Sequence, residues 1–294
     1  MDTEISAPLI DELVWHLRSG RATVLTGAGM STDSGIPDYR GPQGSLRTRK
    51  PVTFTEFLRS EEDRRRYWAR SCLGWPFMAA RRPNGAHEVV ARLQRRGVFG
   101  TIITQNVDGL HQAAGSTNVI ELHGGLARVV CLECGTRSSR EDLQTEMLRR
   151  NPEWLSQAAE IAPDGDAELP RHVTASFDVP PCPVCGGILK PDVVFFGENV
   201  PSPRVTAAFA AVAAGDTLLV LGSSLTVYSG YRFADRASRD GTAVAIVNQG
   251  PTRADGIAAV KLDASLTPTL ERLETRLTGT TATALDPPVP PSAP

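Results

Sequence analysis

The chain has 294 residues, an apolar share of 41% and a formal net charge of -2. That length supports one large domain or two unequal ones, and the near-neutral charge lacks the positive excess that would point to direct nucleic-acid binding. Residues 1–12 are acidic and polar, unlike a signal peptide, and no apolar run reaches the roughly 18 residues of a membrane span, so a cytoplasmic protein without membrane contact is expected.

Leu9, Leu13 and Leu17, with Val14 and Trp15, recur at helical spacing, and Gly20 ends that helix. Residues 22–25 read as a buried strand. The polar run 26–41 follows it. There Gly27 and Gly29 allow a sharp turn and close approach of a ligand, and Ser31, Thr32 and Ser34 add hydroxyls. A strand, glycines and a helix start together form the geometry that holds a pyrophosphate. Gly-x-Gly alone fits an ordinary strand-to-helix turn equally well, and Thr32 stands where the dinucleotide fingerprint has its third glycine. A turn does not need Pro37, Asp38 and Arg40 so close together, so a charged or highly polar ligand is expected over this run.

Residues 43–82 are basic and irregular, then helical, with Phe54, Phe57 and Leu58 on one apolar side. They fit either a solvated helix with a few core aromatics or a flap over the ligand. Cys72 stands alone and reads as a buried small apolar residue. Residues 84–96 form the next helix, with Ala86, Val89, Val90 and Leu93 inward. Strands are expected at 99–104, 119–122, 216–221, 244–247 and 258–262, and a disordered tail from 278.

Nearly every strand ends in a small or polar group: Gly27, Gln105-Asn106, His123, Gly222-Ser223, Asn248-Gln249. Strands separated by helices imply a parallel sheet, and ligands bind outside the carboxyl ends of such strands. One such residue can simply cap a helix; five strand ends in agreement favour a nucleotide crevice. His123, at one of these ends and followed by two glycines, is suited to act as a general base.

Cys131-Leu132-Glu133-Cys134 and Cys182-Pro183-Val184-Cys185 each place two thiolates on a tight turn followed by Gly135 or Gly186. Four sulfurs in two such pairs suit one structural, tetrahedral zinc; two redox Cys-x-x-Cys motifs or unrelated cysteines are the alternatives. The segment between the pairs exceeds a compact ribbon and is expected to hold a helix at 140–159 and a polar loop at 163–171. No open ligand position points to metal catalysis.

Gly27-Ala28-Gly29-Met30-Ser31, Gly35-Ile36-Pro37-Asp38-Tyr39-Arg40, Gln105-Asn106-Val107-Asp108, Leu122-His123-Gly124, the paired cysteines, Gly222-Ser223-Ser224 and Asn248 resemble the sirtuin family of NAD-dependent protein lysine deacylases, in that family's order from about residue 9 to 275. Arg66-Tyr67-Trp68-Ala69-Arg70, Gly74-Trp75-Pro76, Val194-Phe195-Phe196-Gly197-Glu198-Asn199 and Ser224-Leu225-Thr226-Val227-Tyr228-Ser229-Gly230 are similar to its sirtuin-4-like branch.

The resemblance implies a Rossmann-like parallel-sheet α/β domain (1–127 and 191–277) with a helical flap at about 43–82, a zinc-binding insertion at 128–190 and a tail at 278–294. It implies NAD as co-substrate, with the pyrophosphate on the Gly27 turn and Ser223. Ala28, Ile36 and Asp108 would enclose the nicotinamide, Asn106 would hold the reacting ribose, and Gly250 and Leu266 would flank the adenine. Ser31, Thr32, Pro37, Tyr39, Arg40, Gln105, Val107, Gly222, Ser224, Asn248 and Gln249 complete the expected cofactor site. The acyl-lysine oxygen would attack the ribose carbon as nicotinamide leaves. His123 would then take a proton from the ribose hydroxyl that attacks the acyl carbon, giving free lysine and O-acyl-ADP-ribose.

An acyl-lysine protein is thus the expected partner, bound by a monomeric enzyme as a strand between 193–197 and 225–228. Members preferring acidic acyl chains are expected to carry a Tyr-x-x-Arg pair, and none is expected here, where Trp68-Ala69-Arg70-Ser71 and Ser71-Cys72-Leu73 stand. Mono-ADP-ribosyl transfer to protein and a non-catalytic NAD-sensing zinc module are the alternative functions.

Overall fold

The structure, a computed structural model, describes residues 6–38, 51–156 and 169–279. Tyr39, Arg40, the first part of the expected flap and most of the loop expected at 163–171 lie outside the described residues, as does the tail from 280.

In chain order, α1 (Ala7–Leu17) leads to β1 (Ala22–Thr26), and α2 (Phe54–Arg59), α3 (Glu61–Ala79) and α4 (Gly85–Arg95) lead to β2 (Phe99–Thr104). The short α5 (Leu110–Ala113) precedes β3 (Val119–Glu121), after which β4 (Gly124–Cys131), β5 (Arg137–Ser139), α6 (Arg140–Arg150), α7 (Arg171–Thr174) and β6 (Leu189–Val193) form a separate unit. The chain then returns through α8 (Ser202–Ala214), β7 (Thr217–Leu221), α9 (Tyr228–Arg239), β8 (Ala243–Val247), β9 (Val260–Leu262) and α10 (Leu266–Gly279).

The large sheet has the order β3-β2-β1-β7-β8-β9, with every pairing parallel. Alternate strand residues point to opposite faces. Val24, Ile102, Leu219, Ala245 and Val247 pack with α1, α4 and α10, while Leu25, Ile103, Leu218, Val220 and Ile246 pack with α8 and α9. Burial on both faces explains why these strands are continuous apolar runs. Strand order reverses between β1 and β7, which creates the switch-point crevice of a Rossmann-like sheet.

The second sheet is antiparallel, β5-β4-β6. Its core includes Val129, Leu189, Leu143 and Met147, and also Tyr67, Trp68, Ala69 and Cys72 of α3. From residue 51 on, the segment expected as a flap is therefore built into this core. Trp68 is fully buried and donates its Nε1–H to the Leu189 carbonyl at 3.1 Å. Cys72 is buried as expected, and burial pushes its thiol up to about 11.

Three sequence expectations are corrected in detail. The polar run after β1 makes two 3-10 turns, Ala28–Met30 and Thr32–Ser34, rather than an α-helix. The helix expected at 140–159 ends at Arg150, because Asn151 precedes Pro152 and leaves the helical region at φ -123, ψ 69. The last helix runs on to Gly279, so residues 278 and 279 belong to it rather than to a tail.

Beneath the glycine turn, two imidazoles are buried edge to face, His87 on α4 and His111 on α5, with centroids 5.0 Å apart. His111 Nε2 lies 3.0 Å from the Thr26 hydroxyl. Burial lowers His87 to about 4 and His111 to about 3, so both are neutral in the fold and bind protons first in the unfolded chain. Stability from this pair is fully present above the ordinary histidine value near 6.5 and is lost as pH falls toward about 4 and then about 3, by up to ~1.4 kcal/mol per pH unit for each ring. Urea midpoints measured between pH 7 and 4 should fall steeply for the native chain and less steeply for His87→Gln; equal slopes would show that the pair is not the acid-sensitive element.

Candidate active site

The crevice opens where β1 and β7 diverge. The Gly27 N–H donates to the Leu221 carbonyl at 3.1 Å and the Gly29 N–H to the Gly222 carbonyl at 2.9 Å. A Cβ on Gly27 would lie 2.7 Å from Ser223 Cβ, and one on Gly29 3.0 Å from Gly222 Cα. Both glycines are therefore needed because two strand-end loops touch, in addition to any close approach by a ligand.

The polar strand ends form one hydrogen-bonded set. Gln105 Nε2 donates to Ser223 Oγ at 2.9 Å and to the Thr26 carbonyl at 3.2 Å. Asn106 Nδ2 donates to the Gly27 carbonyl at 2.9 Å and to Ser31 Oγ at 3.1 Å. Ser31 Oγ donates to Asp108 at 2.7 Å, and Asp108 also accepts the Leu110 N–H at 2.9 Å. Burial raises the Asp108 carboxyl above its ordinary value in spite of these donors. Asn248 Nδ2 donates to the carbonyls of Gln249 and Gly250, and the Gly250 N–H donates to Asp263 at 2.9 Å.

His123 stands between β3 and β4. Its Nδ1 lies 2.9 Å from the Gln105 carbonyl, and its Nε2 lies 2.9 Å from Ser229 Oγ. The carbonyl can only accept, so Nδ1 carries the proton and Nε2 is left as the basic nitrogen. Burial lowers the imidazole below its ordinary value, and the charges of Arg204 and Arg232 act in the same direction. The ring is therefore neutral near pH 7 and ready to accept a proton.

These groups surround a cavity of about 1060 Å³, above the roughly 300–1,000 Å³ of a drug-sized pocket. Gly27, Ala28, Gly29, Ser31, Ile36, Pro37, Asp38, Gln105, Asn106, Val107, Asp108, His123, Gly222, Ser223, Ser224, Asn248, Gln249 and Gly250 all line it. Thr32 and Leu266 do not. The Thr32 hydroxyl turns back to the Gly29 carbonyl at 3.0 Å, and Leu266 is buried in the core behind Gly222, where a Cβ on that glycine would meet it at 2.9 Å.

Residues 193–197 and 225–228 both line the cavity, with Phe196 and Tyr228 exposed at 38% and 58%. Leu225, buried in the core that packs α8 and α9 on the sheet, adopts φ 53, a left-handed conformation that an ordinary side chain rarely takes. Sequence reasoning missed Tyr67, Met78, Leu126, Ser229 and Arg232 as lining residues. Ser229 and Arg232 share a face of α9 because their spacing is three residues, a usable signal. The missing Tyr-x-x-Arg pair is also corrected: one residue earlier the chain reads Tyr67-Trp68-Ala69-Arg70. Tyr67 lines the cavity, whereas Arg70 is buried and does not.

The donor set fits a dinucleotide. The glycine turn at Gly27, the hydroxyls of Ser31 and Ser223, the amides of Gln105, Asn106 and Asn248, and Asp108 all line the one cavity. The four cysteines fit one zinc. Their sulfurs lie within 4.8 Å of one another, with Cys131 to Cys185 at 3.5 Å and Cys134 to Cys182 at 3.8 Å, where a tetrahedron with bonds of ~2.3 Å needs edges of ~3.8 Å.

Comparison with known proteins agrees with this geometry. The Sir2 family model matches residues 27–229. NAD-dependent protein deacetylase 1 of Streptomyces coelicolor is 52% identical over 271 residues, covering 92% of this chain and 89% of that protein. The NAD-dependent protein deacetylase of Xanthomonas axonopodis pv. citri is 52% identical over 248 residues, covering 84% and 85%. Among solved structures, a Sir2 complex with p53 peptide and NAD+ superposes with a TM-score of 0.71 at 31% identity, covering 91% of this chain and 98% of that one.

The cysteine cluster generates its own test. Purified protein should contain about one zinc per chain, and Cys182→Ser or strong chelation should lower Tm sharply, since structural zinc contributes folding free energy directly. A metal-free Cys131→Ser protein with an unchanged melting curve would remove zinc from the account.

Proposed function

This chain belongs to the Sir2 family, and we propose that it is an NAD-dependent protein lysine deacetylase. The observation that carries the reading is His123, a neutral imidazole whose basic nitrogen is turned into the same crevice as the glycine turn, Asn106 and Asp108. A binding module has no use for a base there.

When bound, NAD supplies an electrophilic ribose carbon and the ribose hydroxyls that receive the acyl group. The Gly27 turn and Ser223 would hold the pyrophosphate, and Gln249 and Gly250 would line the adenosine end. Ala28, Ile36 and Asp108 would enclose the nicotinamide, and Asn106, its amide fixed by Gly27 and Ser31, would hold the neighbouring ribose. His123 accepts the ribose hydroxyl proton at Nε2 while Nδ1–H stays on the Gln105 carbonyl. Solved Sir2 relatives bind acetylated peptide. In this chain an acetyl-lysine peptide would lie as an extended strand between residues 193–197 and 225–228, both of which line the cavity.

Acyl transfer to ADP-ribose makes the enzyme a transferase. We assign it to the sirtuin-4-like branch, on the motifs around Tyr67 and Ser229. Acetyl is the favoured acyl group: an acidic chain would call on Arg70, which is 4% exposed and off the cavity wall. The cysteines hold zinc as a structural ion, away from these steps.

Incubation with NAD and an acetyl-lysine peptide should release nicotinamide only when both are present, and His123→Ala should cut deacetylation by a hundredfold or more, roughly the span of general-base catalysis. Because burial lowers His123, the acid limb of the pH profile should lie below the ordinary 6.5, with activity retained as pH rises through it. No turnover on a broad acyl panel would sink the deacylase reading. Label passing from the adenine of NAD onto protein would favour ADP-ribosyl transfer instead.

A further inference from the structure

Ser229 Oγ lies 2.9 Å from the nitrogen of His123 that must accept a proton. Because Nδ1 is committed to the Gln105 carbonyl, the serine O–H is the donor and Nε2 the acceptor. The serine is held in place by its neighbours. It sits in the first turn of α9, and the next residue, Gly230, is buried so closely against Gln105 that a Cβ would collide with the Gln105 side-chain oxygen. Gln105 is in turn tied to Ser223 and to Thr26. One frame thus grips the imidazole at both nitrogens: the Gln105 carbonyl at one, and a hydroxyl from the helix packed on Gln105 at the other.

The hydroxyl also lines the cavity. It donates to Nε2 from a place that a substrate hydroxyl could take over with the same donor geometry. A ring held by Gln105 alone could swing about that one bond; a ring held at both ends is aligned before substrate arrives.

We propose that Ser229 is a positioning residue for deacetylation, holding the His123 ring in its proton-accepting orientation in the ligand-free enzyme and yielding Nε2 to the incoming ribose hydroxyl. This rests on the deacetylase reading. Without Ser229 the ring must be aligned during the reaction itself, and only the step that uses the base should suffer. Release of nicotinamide and its reverse, exchange of labelled nicotinamide into NAD, need no proton removal by His123.

The test compares the full-length native protein, Ser229→Ala and Ser229→Thr with NAD and an acetyl-lysine peptide. Ser229→Ala should lose about fivefold to tenfold in kcat for deacetylation, the scale of one hydrogen bond. KM values and nicotinamide exchange should stay within about twofold, and Ser229→Thr, which keeps the hydroxyl, should recover most of the loss. An equal fall in both reactions, no change, a gain in deacetylation, or no recovery with threonine would overturn the proposal. Lack of turnover by the native protein would count against the deacetylase reading itself. The nitrogen-15 resonance of His123 Nε2 in the ligand-free protein then decides the Ser229 contact: it should move in Ser229→Ala and return in Ser229→Thr, and an unmoved resonance overturns the proposal.

Discussion

Gly124 passes so close to the backbone of Asp192 that a Cβ would collide with the Asp192 carbonyl oxygen, and its φ of 83 is one that glycine alone adopts without strain. The placement of His123 and of residues 193–197 depends on this crossing. Gly124 opens β4 directly after His123, and it pairs with Val193, the last residue of β6. One residue further on, the Val194 N–H donates to the His123 carbonyl at 2.8 Å. His123 and the cavity wall at residues 193–197 are thus two ends of one backbone contact. Beneath that wall Lys190 is 3% exposed, close to the Val193 carbonyl and 2.9 Å from Glu198, over the Phe195 ring. Burial lowers the ammonium below its ordinary value, and the Glu198 carboxylate opposes that shift. Glu198 also accepts the Phe195 N–H at 2.8 Å, so removing the carboxylate would leave a buried charge and a backbone donor without this partner.

Burial serves two purposes in this chain. At His87 and His111 it produces neutral rings that fill space under the glycine turn and make the fold sensitive to acid. At His123 the same desolvation yields a base that is unprotonated at neutral pH. The difference lies in what the second nitrogen meets. His123 Nε2 faces a hydroxyl at the cavity wall, whereas His111 Nε2 is closed in by the Thr26 hydroxyl inside the sheet. The chemistry therefore depends on where the strand end points as well as on the residue type.

The parallel sheet and its crevice were legible because buried parallel strands are unbroken apolar runs, and polar residues at their ends have few other reasons to recur. The cysteine pairs were legible from spacing. The role of α3 was not. Tyr67, Trp68, Ala69, Arg70, Ser71 and Cys72 are all buried in succession, because the helix is enclosed by the small sheet and its helices, so no 3.6-residue stripe marks an inner face. Arg70 and Arg140 read as solvent residues by composition, yet each is at most 4% exposed. Arg140 donates to the Ser71 carbonyl and to Gln144, satisfying a charge that sequence alone assigns to the surface. Leu266 was misplaced for the converse reason: it is adjacent to the crevice but faces the core.

The distance between the cysteines and the chemistry also follows from the ladder. Cys131 pairs with Leu189 at one end of β4 and β6, and Gly124 pairs with Val193 at the other. A three-stranded sheet needs a hydrophobic face or a helix packed on it to be stable; this one packs against the α3 core, with the cysteine cluster at one end. Because side chains alternate along a strand, a slip of one residue between β4 and β6 near the cysteines would reverse the faces of Val129, Val130 and Cys131, which pair with Pro191, Lys190 and Leu189. A metal that cross-links the two knuckles fixes that register. Zinc held here would need no open coordination position: it would fix the pairing at the cysteine end, while the Gly124–Val193 contact sets the His123 end beyond the irregularity in the ladder.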